Sequence, residues 1–439
     1  MHVEEKSLGR FRFGGYVKSL SVSPDSRHVA YIRRDMWRPF RRREFLVVDG
    51  NRGHSYDRIL TDTVRFDALG RPVFAASDHG KVFCLVGEER GESYESVTAP
   101  KVSQNGRRCA YIARRASRAA VIADEQTGPW FESILEALLV FSPDSRHIGY
   151  VARRDGQWRC VIDGAEGPSF DGVGEGSLSF NHDGSRFAYT ARHDRTWRAI
   201  VDGVPQQPWY GIADGTPVFA PTGGNFAYAA TDGRQRFVVV DAHVYGPYDG
   251  VGNNLVFSND GSQFAFRARK GREWTVVSSP GVSSAYENIS DATPILSALG
   301  NRIAFTGHRS GKAILVIDGT DAFVHDEIVH PTFGHGGMRI AYAARDGRRW
   351  SVFVDGRKIL DSNEGVSSEI VFSPDDSHVA VEVIRSYDRR SVAVLTVDGR
   401  ECASVDFFLK GARPTWGSPA TAHDLGCRGR DYLFIHVQT

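Results

Sequence analysis

The feature that most constrains this chain is its internal repetition. Residues 140–173 read VFSPDSRHIGYVARRDGQWRCVIDGAEGPSFDGV, and residues 178–212, LSFNHDGSRFAYTARHDRTWRAIVDGVPQQPWYGI, follow the same plan. Anchoring on Phe141, the residue before Ser-Pro-Asp, gives eleven copies: Val22, Phe66, Ser103, Phe141, Phe180, Phe219, Phe257, Leu296, Phe333, Phe372 and Trp416. From Ser103 to Phe372 the gaps run between 37 and 39 residues, while the first and last gaps are both 44 and so carry insertions. A period of this size marks an array in which each repeat is one supersecondary unit.

Each unit holds four short segments of strand character, in the fourth copy LLVF (138–141), HIGYVA (147–152), WRCVI (158–162) and PSFDGV (168–173). Ser-Pro-Asp-Ser, Arg-Asp-Gly-Gln and Asp-Gly-Ala-Glu-Gly separate them. These are turn sequences, because Pro presets φ, Asp closes Asx turns and Gly accepts positive φ. An aromatic recurs in the second segment, at Tyr31, Phe74, Tyr111, Tyr150, Tyr189, Tyr228, Phe266, Phe305 and Tyr342. No segment has the length and period of a helix.

Four antiparallel strands cannot bury both faces of their own sheet. Packed radially, each sheet is covered by its neighbours. The expectation is an all-β chain: a β-propeller of four-stranded antiparallel blades, in a single ring of eleven. The ring is a single unit over 1–439, with repeats starting near 18, 62, 99, 137, 176, 215, 253, 292, 329, 368 and 412. An N-terminal strand in RFRFGGYV (10–17) resembles the fourth segment and is expected to complete the C-terminal blade, hiding two strand edges. A ten-blade ring with one irregular copy, or two fused rings of five and six, are the alternatives.

FSPDSRHIGYVA, FSNDGSQFAFRA and FSPDDSHVAVEV resemble the TolB-type, WD-like β-propeller repeats of bacterial proteins. The resemblance covers essentially the whole chain and implies a fold rather than a function. The Trp-Asp pairs of true WD repeats are absent, as is the Gly-x-Ser-x-Gly elbow of the hydrolases that some propellers cover.

Charge is balanced, 54 Lys+Arg against 53 Asp+Glu, which indicates neither a globally basic nucleic-acid binder nor an acidic tail. MHVEEKSLGRFRFGG does not read as a secretory signal, and no apolar run has the length of a membrane span. A cytoplasmic chain is expected. Five scattered cysteines (Cys84, Cys109, Cys160, Cys402, Cys427) lack the spacing of a disulfide framework or a zinc site and read as free thiols.

The candidate chemistry is sparse. Asp49, Asp163, Asp202, Asp318, Asp355 and Asp398 precede Gly between third and fourth strands, and Asp241 precedes Ala. A tight hairpin needs Asp-Gly there, and the spacing of a calcium loop is missing. His325, His330 and His335 fall on different elements, and His28, His147 and His378 share one repeat position. No cofactor, metal or catalytic set is expected.

More informative is the turn between second and third strands. It reads IRRDMWRPFRRREF, ARRASRA, ARRDGQW, ARHDRTW, TDGRQRF, ARKGREW, GHRSGKA, ARDGRRW, IRSYDRRS and CRGRDY, with Arg missing only from SDHGKV. These loops emerge on one face of a propeller. An Arg-rich rim with interleaved aromatics suits an anionic partner, foremost a protein, with an anionic polymer as a special case. The expected contact residues are Arg34, Trp37, Arg38, Phe40, Arg41, Arg42 and Arg43, then Arg385, Tyr387 and Arg389. Acids at Asp57, Glu95, Glu132, Asp171, Asp249, Glu287 and Asp326 end near the same face and are the expected local neutralisers. The expectation is a non-enzymatic scaffold. The alternative is an enzyme or small-ligand binder at the channel mouth, using His330, Glu369 and Arg413.

Overall fold

The computed structural model describes residues 2–10, 19–23, 27–34, 43–279, 281–362, 365–366, 369–387, 390–405, 407–408, 415–418, 421–428 and 431–438, with backbone alone at 2–10 and within 386–391 and 405–438. These residues form eleven antiparallel sheets: A (Ser21–Tyr56), B (Arg58–Arg90), C (Ser96–Thr127), D (Ser133–Phe170), E (Gly172–Pro205), F (Gly211–Tyr248), G (Gly250–Val282), H (Asn288–His325), I (Glu327–Ser362), J (Val371–Val405) and K (Phe407–Gln438 with His2–Arg10).

Sheet D shows the plan. Its inner strand comes in two pieces, Ser133–Ile134 and Val140–Phe141, joined by a 3-10 turn at Glu136–Leu138. Both pieces pair with Ile148–Arg154, which pairs with Gln157–Ile162, which pairs with the outer strand Ala165–Phe170. Second strands are apolar on both faces because a sheet packs on each side of them, so they read as unbroken apolar runs. At the third-to-outer turn, Asp163 and Gly164 take φ of 49° and 84°. This is the two-residue hairpin geometry that requires positive φ at both places.

Among the described side chains, consecutive sheets from A to J share buried cores. Ile32 and Leu46 of sheet A meet Phe66 and Phe83 of sheet B. Ile112 and Val121 of sheet C meet Ile148 and Tyr150 of sheet D. Val151 of sheet D meets Tyr189 of sheet E, and the same pattern continues to Ala343 of sheet I against Val381 of sheet J. The repeated aromatic faces the preceding sheet and its neighbour faces the following one. Each fully buried side chain of this size contributes about 1.5–3 kcal/mol.

Three boundaries differ from the sequence expectation. In the third copy Val102, not Ser103, holds the anchor place: Val102 pairs with Cys109 as Phe141 pairs with Ile148. Ser103 is the buried serine that follows the anchor, its Oγ accepting the Arg108 N–H at 3.0 Å. The segment PSFDGV is two elements: Phe170 ends the outer strand of sheet D, and Gly172–Val173 opens the inner strand of sheet E. The chain crosses between sheets at the acid that follows the aromatic. Finally, the N-terminal strand on the last sheet is His2–Arg10, paired with Asp431–Gln438 through a bulge between Ser7 and Gly9. The expected segment 10–17 lies, beyond Arg10, outside the described residues. HVEEKSLGR lacks the aromatic that an outer strand such as Ala165–Phe170 carries.

Candidate functional site

Antiparallel strands place the described second-to-third hairpins and sheet crossovers at one end of their sheets. There the crossover acids do one thing repeatedly. Asp57, Glu95, Glu132, Asp171, Asp249, Glu287 and Asp326 each accept a backbone N–H from the hairpin turn of the sheet they lead into: His79, Ala116, Gly156, Asp194, Gly271, Ser310 and Gly347, at 2.7–3.4 Å. The turns need these acceptors because their N–H groups have no ladder partner. In sheet F the acid's place is taken by Tyr210, which lies against Gly233, and the turn is capped by its own Asp232.

The expected neutralisation by these acids is therefore partial. Asp326 pairs with Lys312 at 2.5 Å, and the hydrogen bond from that ammonium leads the causes holding its pKa below the usual carboxylate value. Most arginines find other company. Arg153, Arg269 and Arg345 donate to Gly carbonyls of their own turns and lie beside Trp158, Trp274 and Trp350, 5.8–5.9 Å from the ring centres. Arg115 lies over Tyr94 at 4.9 Å. By contrast Arg195, Arg272 and Arg348 occupy turn tips, exposed and, among the described residues, with no hydrogen bond or ion pair.

The expected contact residues divide into two groups. Trp37, Arg38, Phe40, Arg41, Arg42, Arg389 and Arg413 lie outside the described residues, and for Tyr387 only the backbone is described. Those described are engaged within the chain. Arg34 Nε pairs with Glu44 Oε1 at 3.2 Å, while the buried Glu44 accepts the Ile59 N–H through Oε2. Arg43 Nη2 donates to the Ser55 carbonyl at 2.6 Å and to Asp78 Oδ1 at 2.9 Å, joining sheets A and B. Arg385 pairs with Glu401 at 3.1 Å and donates to the Asp361 carbonyl.

At the opposite end, the recurring aspartates are hairpin residues with a second task. One carboxylate oxygen accepts the N–H that opens the second strand, as Asp163 does from Ile148 and Asp202 from Phe187, both at 2.9 Å. The other oxygen takes the residue before it: His28, His147 and His378 through Nδ1, and Arg186, Arg302 and Arg339 through Nε. That residue then reaches the next sheet. His147 stacks near Phe180 at 6.4 Å, and Arg302 Nη1 donates to the Met338 carbonyl at 2.8 Å. Asp124 does the same work with Arg108 and Cys109, although no Gly follows it, so the dipeptide signal misses it. Replacing Asp163 by Ala strands the Ile148 N–H and leaves a non-Gly residue at positive φ without its local bond. A loss of about 1–3 kcal/mol is expected in urea unfolding. Asp163→Asn, which keeps an acceptor and tolerates this φ, is expected to lose less.

Of the residues expected at a channel mouth, His330 is half-buried in the bulged first strand of its sheet, Glu327–Phe333, with φ 52°. Burial pushes its imidazole pKa down, and the nearby Glu369 carboxylate pulls it back up. His325 and His335 meet different partners, Asp346 and Asp376. Among the described residues, Asp171, His193 and Asp194 bring three potential metal ligands together, all exposed, with Asp171 already bound to a turn N–H. No helix among the described residues is long and apolar enough to cross a membrane.

No family model matches the sequence, and no curated protein matches it. Among solved structures, the chain is similar to a eukaryotic initiation factor at 13% identity, covering 74% of this chain and 93% of that one, with a TM-score of 0.42. It is similar to TolB from Acinetobacter baumannii at 15% identity, covering 59% and 77%, with a TM-score of 0.26. It is also similar to the β-propeller domain of the Trilobed protease from Pyrococcus furiosus at 11% identity, covering 60% and 93%, with a TM-score of 0.30. In fold the chain is similar to TolB-type and WD-like β-propellers. At these identities the likeness is one of fold.

Proposed function

We propose that the eleven sheets are the blades of one ring, and that the ring is a non-enzymatic scaffold. Its partner is an anionic surface, foremost that of a protein, bound at the end that carries the second-to-third hairpins. One observation carries this reading. Seven crossover acids of that end each give a carboxylate oxygen to a turn N–H, with Asp326 also holding Lys312, while Arg195, Arg272 and Arg348 stand at the tips without partners among the described residues. The single ring is supported by the unbroken packing of sheets A to J and by the pairing of His2–Arg10 with the last sheet.

The loop at 33–44 remains the centre of the proposed contact, with 385–390 second. Arg43 is excluded from a charge-reversal test because it ties Ser55 and Asp78 together. The test compares capture from the native cell extract by wild type and by an Arg41→Glu/Arg42→Glu variant, at low and moderate salt. The expected result is a partner whose capture falls with salt and drops on the order of tenfold in the variant, equivalent to about 1.4 kcal/mol. Equal capture by both proteins removes the loop from the site.

The second reading, a ligand site at the channel mouth with His330, Glu369 and Arg413, rests on the half-buried His330 beside Glu369. It predicts that no partner is captured by either protein and that a small ligand raises thermal stability.

A further inference from the structure

Strand pairing fixes which residue precedes the anchor in each copy, and two consecutive copies depart from the rest. Arg65 pairs with Val73 in sheet B, and Lys101 pairs with Ala110 in sheet C. At the same place the other sheets from A to J carry Ser, Thr, Val or Ile. Three of these, Val140, Val256 and Ile295, pack onto the core shared with the next sheet. Packing therefore asks for a small or apolar residue here and gives no reason for a cation. The first strands of sheets A, B and C adjoin, and the turns that follow them are tied by the Ala68 N–H on the Gly106 carbonyl at 2.9 Å. The Asn105 N–H reaches Ser145 Oγ of sheet D at 3.1 Å. Beside these ties lies a cavity of about 510 Å³. That is within the roughly 300–1,000 Å³ of small-ligand sites. Arg65 and Lys101 both line it, Val22, Phe66 and Pro100 give it apolar walls, and Glu136 is the one acid among its lining residues. Neither cation has an ion pair among the described residues. Arg65 Nη1 donates to the adjacent Val64 carbonyl at 2.8 Å, and the half-buried Lys101 makes no hydrogen bond through its ammonium.

We propose that this cavity is a binding site for a small organic anion, a carboxylate or phosphate on an apolar body, with Arg65 and Lys101 holding its charge. The planar guanidinium of Arg65 offers a fork of donors to two oxygens of such a group. The Lys101 ammonium adds a point charge from the neighbouring strand. Val22, Phe66 and Pro100 cover the apolar body, which a bare hydrated ion would leave unused. The state of Lys101 agrees with this. Burial holds its ammonium below the usual lysine value, and the Glu136 carboxylate draws it only part of the way back. Such an ammonium lacks a full counter-charge, and a bound anion supplies one. The site uses neither the hairpin arginines nor His330 and Glu369, so it stands whether or not those surfaces bind a partner.

The test treats the full chain at neutral pH with pyridoxal 5′-phosphate, an aromatic aldehyde that carries a phosphate, and in parallel with pyridoxal, which lacks it. The lysine amine condenses with the aldehyde: a C=N bond forms and water leaves. Borohydride then delivers hydride to the imine carbon, and peptide mapping by mass spectrometry locates the stable secondary amine. Lys101 should be labelled severalfold faster than the exposed Lys81 by the phosphate-bearing probe, and should lose that preference with pyridoxal. A lysine that is merely more nucleophilic would react with both probes alike. In the exposed Arg65→Gln variant, labelling of Lys101 by pyridoxal 5′-phosphate should fall severalfold while that of Lys81 is unchanged. In Glu136→Gln, which removes the acid at the cavity, it should rise. Competition separates the two ligand types: protection of Lys101 by inorganic phosphate supports a phosphate ligand, and protection by benzoate a carboxylate on an apolar body. Protection by neither overturns the proposal. So does labelling of Lys101 at equal rates by the two probes in wild type, a readout that needs no variant, or an unchanged rate in Arg65→Gln.

Discussion

Raising the pH from about 9 to about 12 is expected to unfold this chain over a narrow interval. Tyr150 is 3% exposed, and burial pushes its phenol up to about 12. Burial also raises the phenols of Tyr111, Tyr189 and Tyr342 and lifts the Cys160 thiol to about 12. The unfolded chain gives up these protons first, near 10 for a phenol and 9 for a thiol. Above those values the folded state binds more protons than the unfolded state, so stability falls as pH rises. Each group contributes a slope of about 1.4 kcal/mol per pH unit, so the five together reach on the order of 5–7 kcal/mol per unit. A domain's whole stability is about 5–15 kcal/mol. Phenolate absorbance should therefore appear together with the loss of sheet circular dichroism. Tyrosines that ionise near pH 10 while the sheet signal persists would show that they are not held in the interfaces.

These tyrosines are also where the fold was most legible. Their spacing sets the repeat, and the repeat sets the sheets. The Asp-Gly pairs located the outer hairpins because few dipeptides accept positive φ at two successive residues. The crossover between sheets was harder to read. In PSFDGV the aromatic and the following glycine look like one strand, although Asp171 between them is a bend. They separate only because Asp171 turns its carboxylate to the next sheet's hairpin. That bond joins residues 23 positions apart, and no local pattern records it. The slip at Ser103 has a similar cause: KVSQNG lacks the Phe-Ser-Pro-Asp spelling, and register rests on pairing with Cys109.

The site was less legible. The Arg-rich turns are evident in sequence, but arginine serves several purposes in this fold. Arg43 bridges two sheets, Arg345 binds Glu327 and its own turn, and Arg302 reaches the next sheet from the opposite end. Sequence position alone does not separate these from Arg195, Arg272 or Arg348, whose place at the turn tip leaves the guanidinium in solvent. The acids were read as counter-ions, whereas a carboxylate beside an unpaired turn N–H is held there by a short directional bond. Pairing of exposed charges contributes only about 0–1 kcal/mol, too little to fix a motif at seven crossovers.

Truncating Tyr189 to Ala is expected to destabilise the chain by about 3–5 kcal/mol, the range for removing a large buried aromatic. Its ring is 1% exposed, meets Phe170 edge-on at 6.1 Å and stacks with Phe187 at 6.4 Å, inside the core between sheets D and E. Tyr189→Phe should cost far less, since Phe266 and Phe305 hold the same place in their repeats. How the loss spreads bears on closure of the ring. In an open array, stability is a sum of nearest-neighbour terms, so the damage stays near sheets D to F and the remainder unfolds separately. In a closed ring the weakened interface is shared by every path around the circle. The expected result is a single urea transition with a lower midpoint and an unchanged slope, and reduced amide protection reaching sheets A and J. Two transitions, with sheets H to J keeping wild-type protection, would instead mean that the sheets form an open stack.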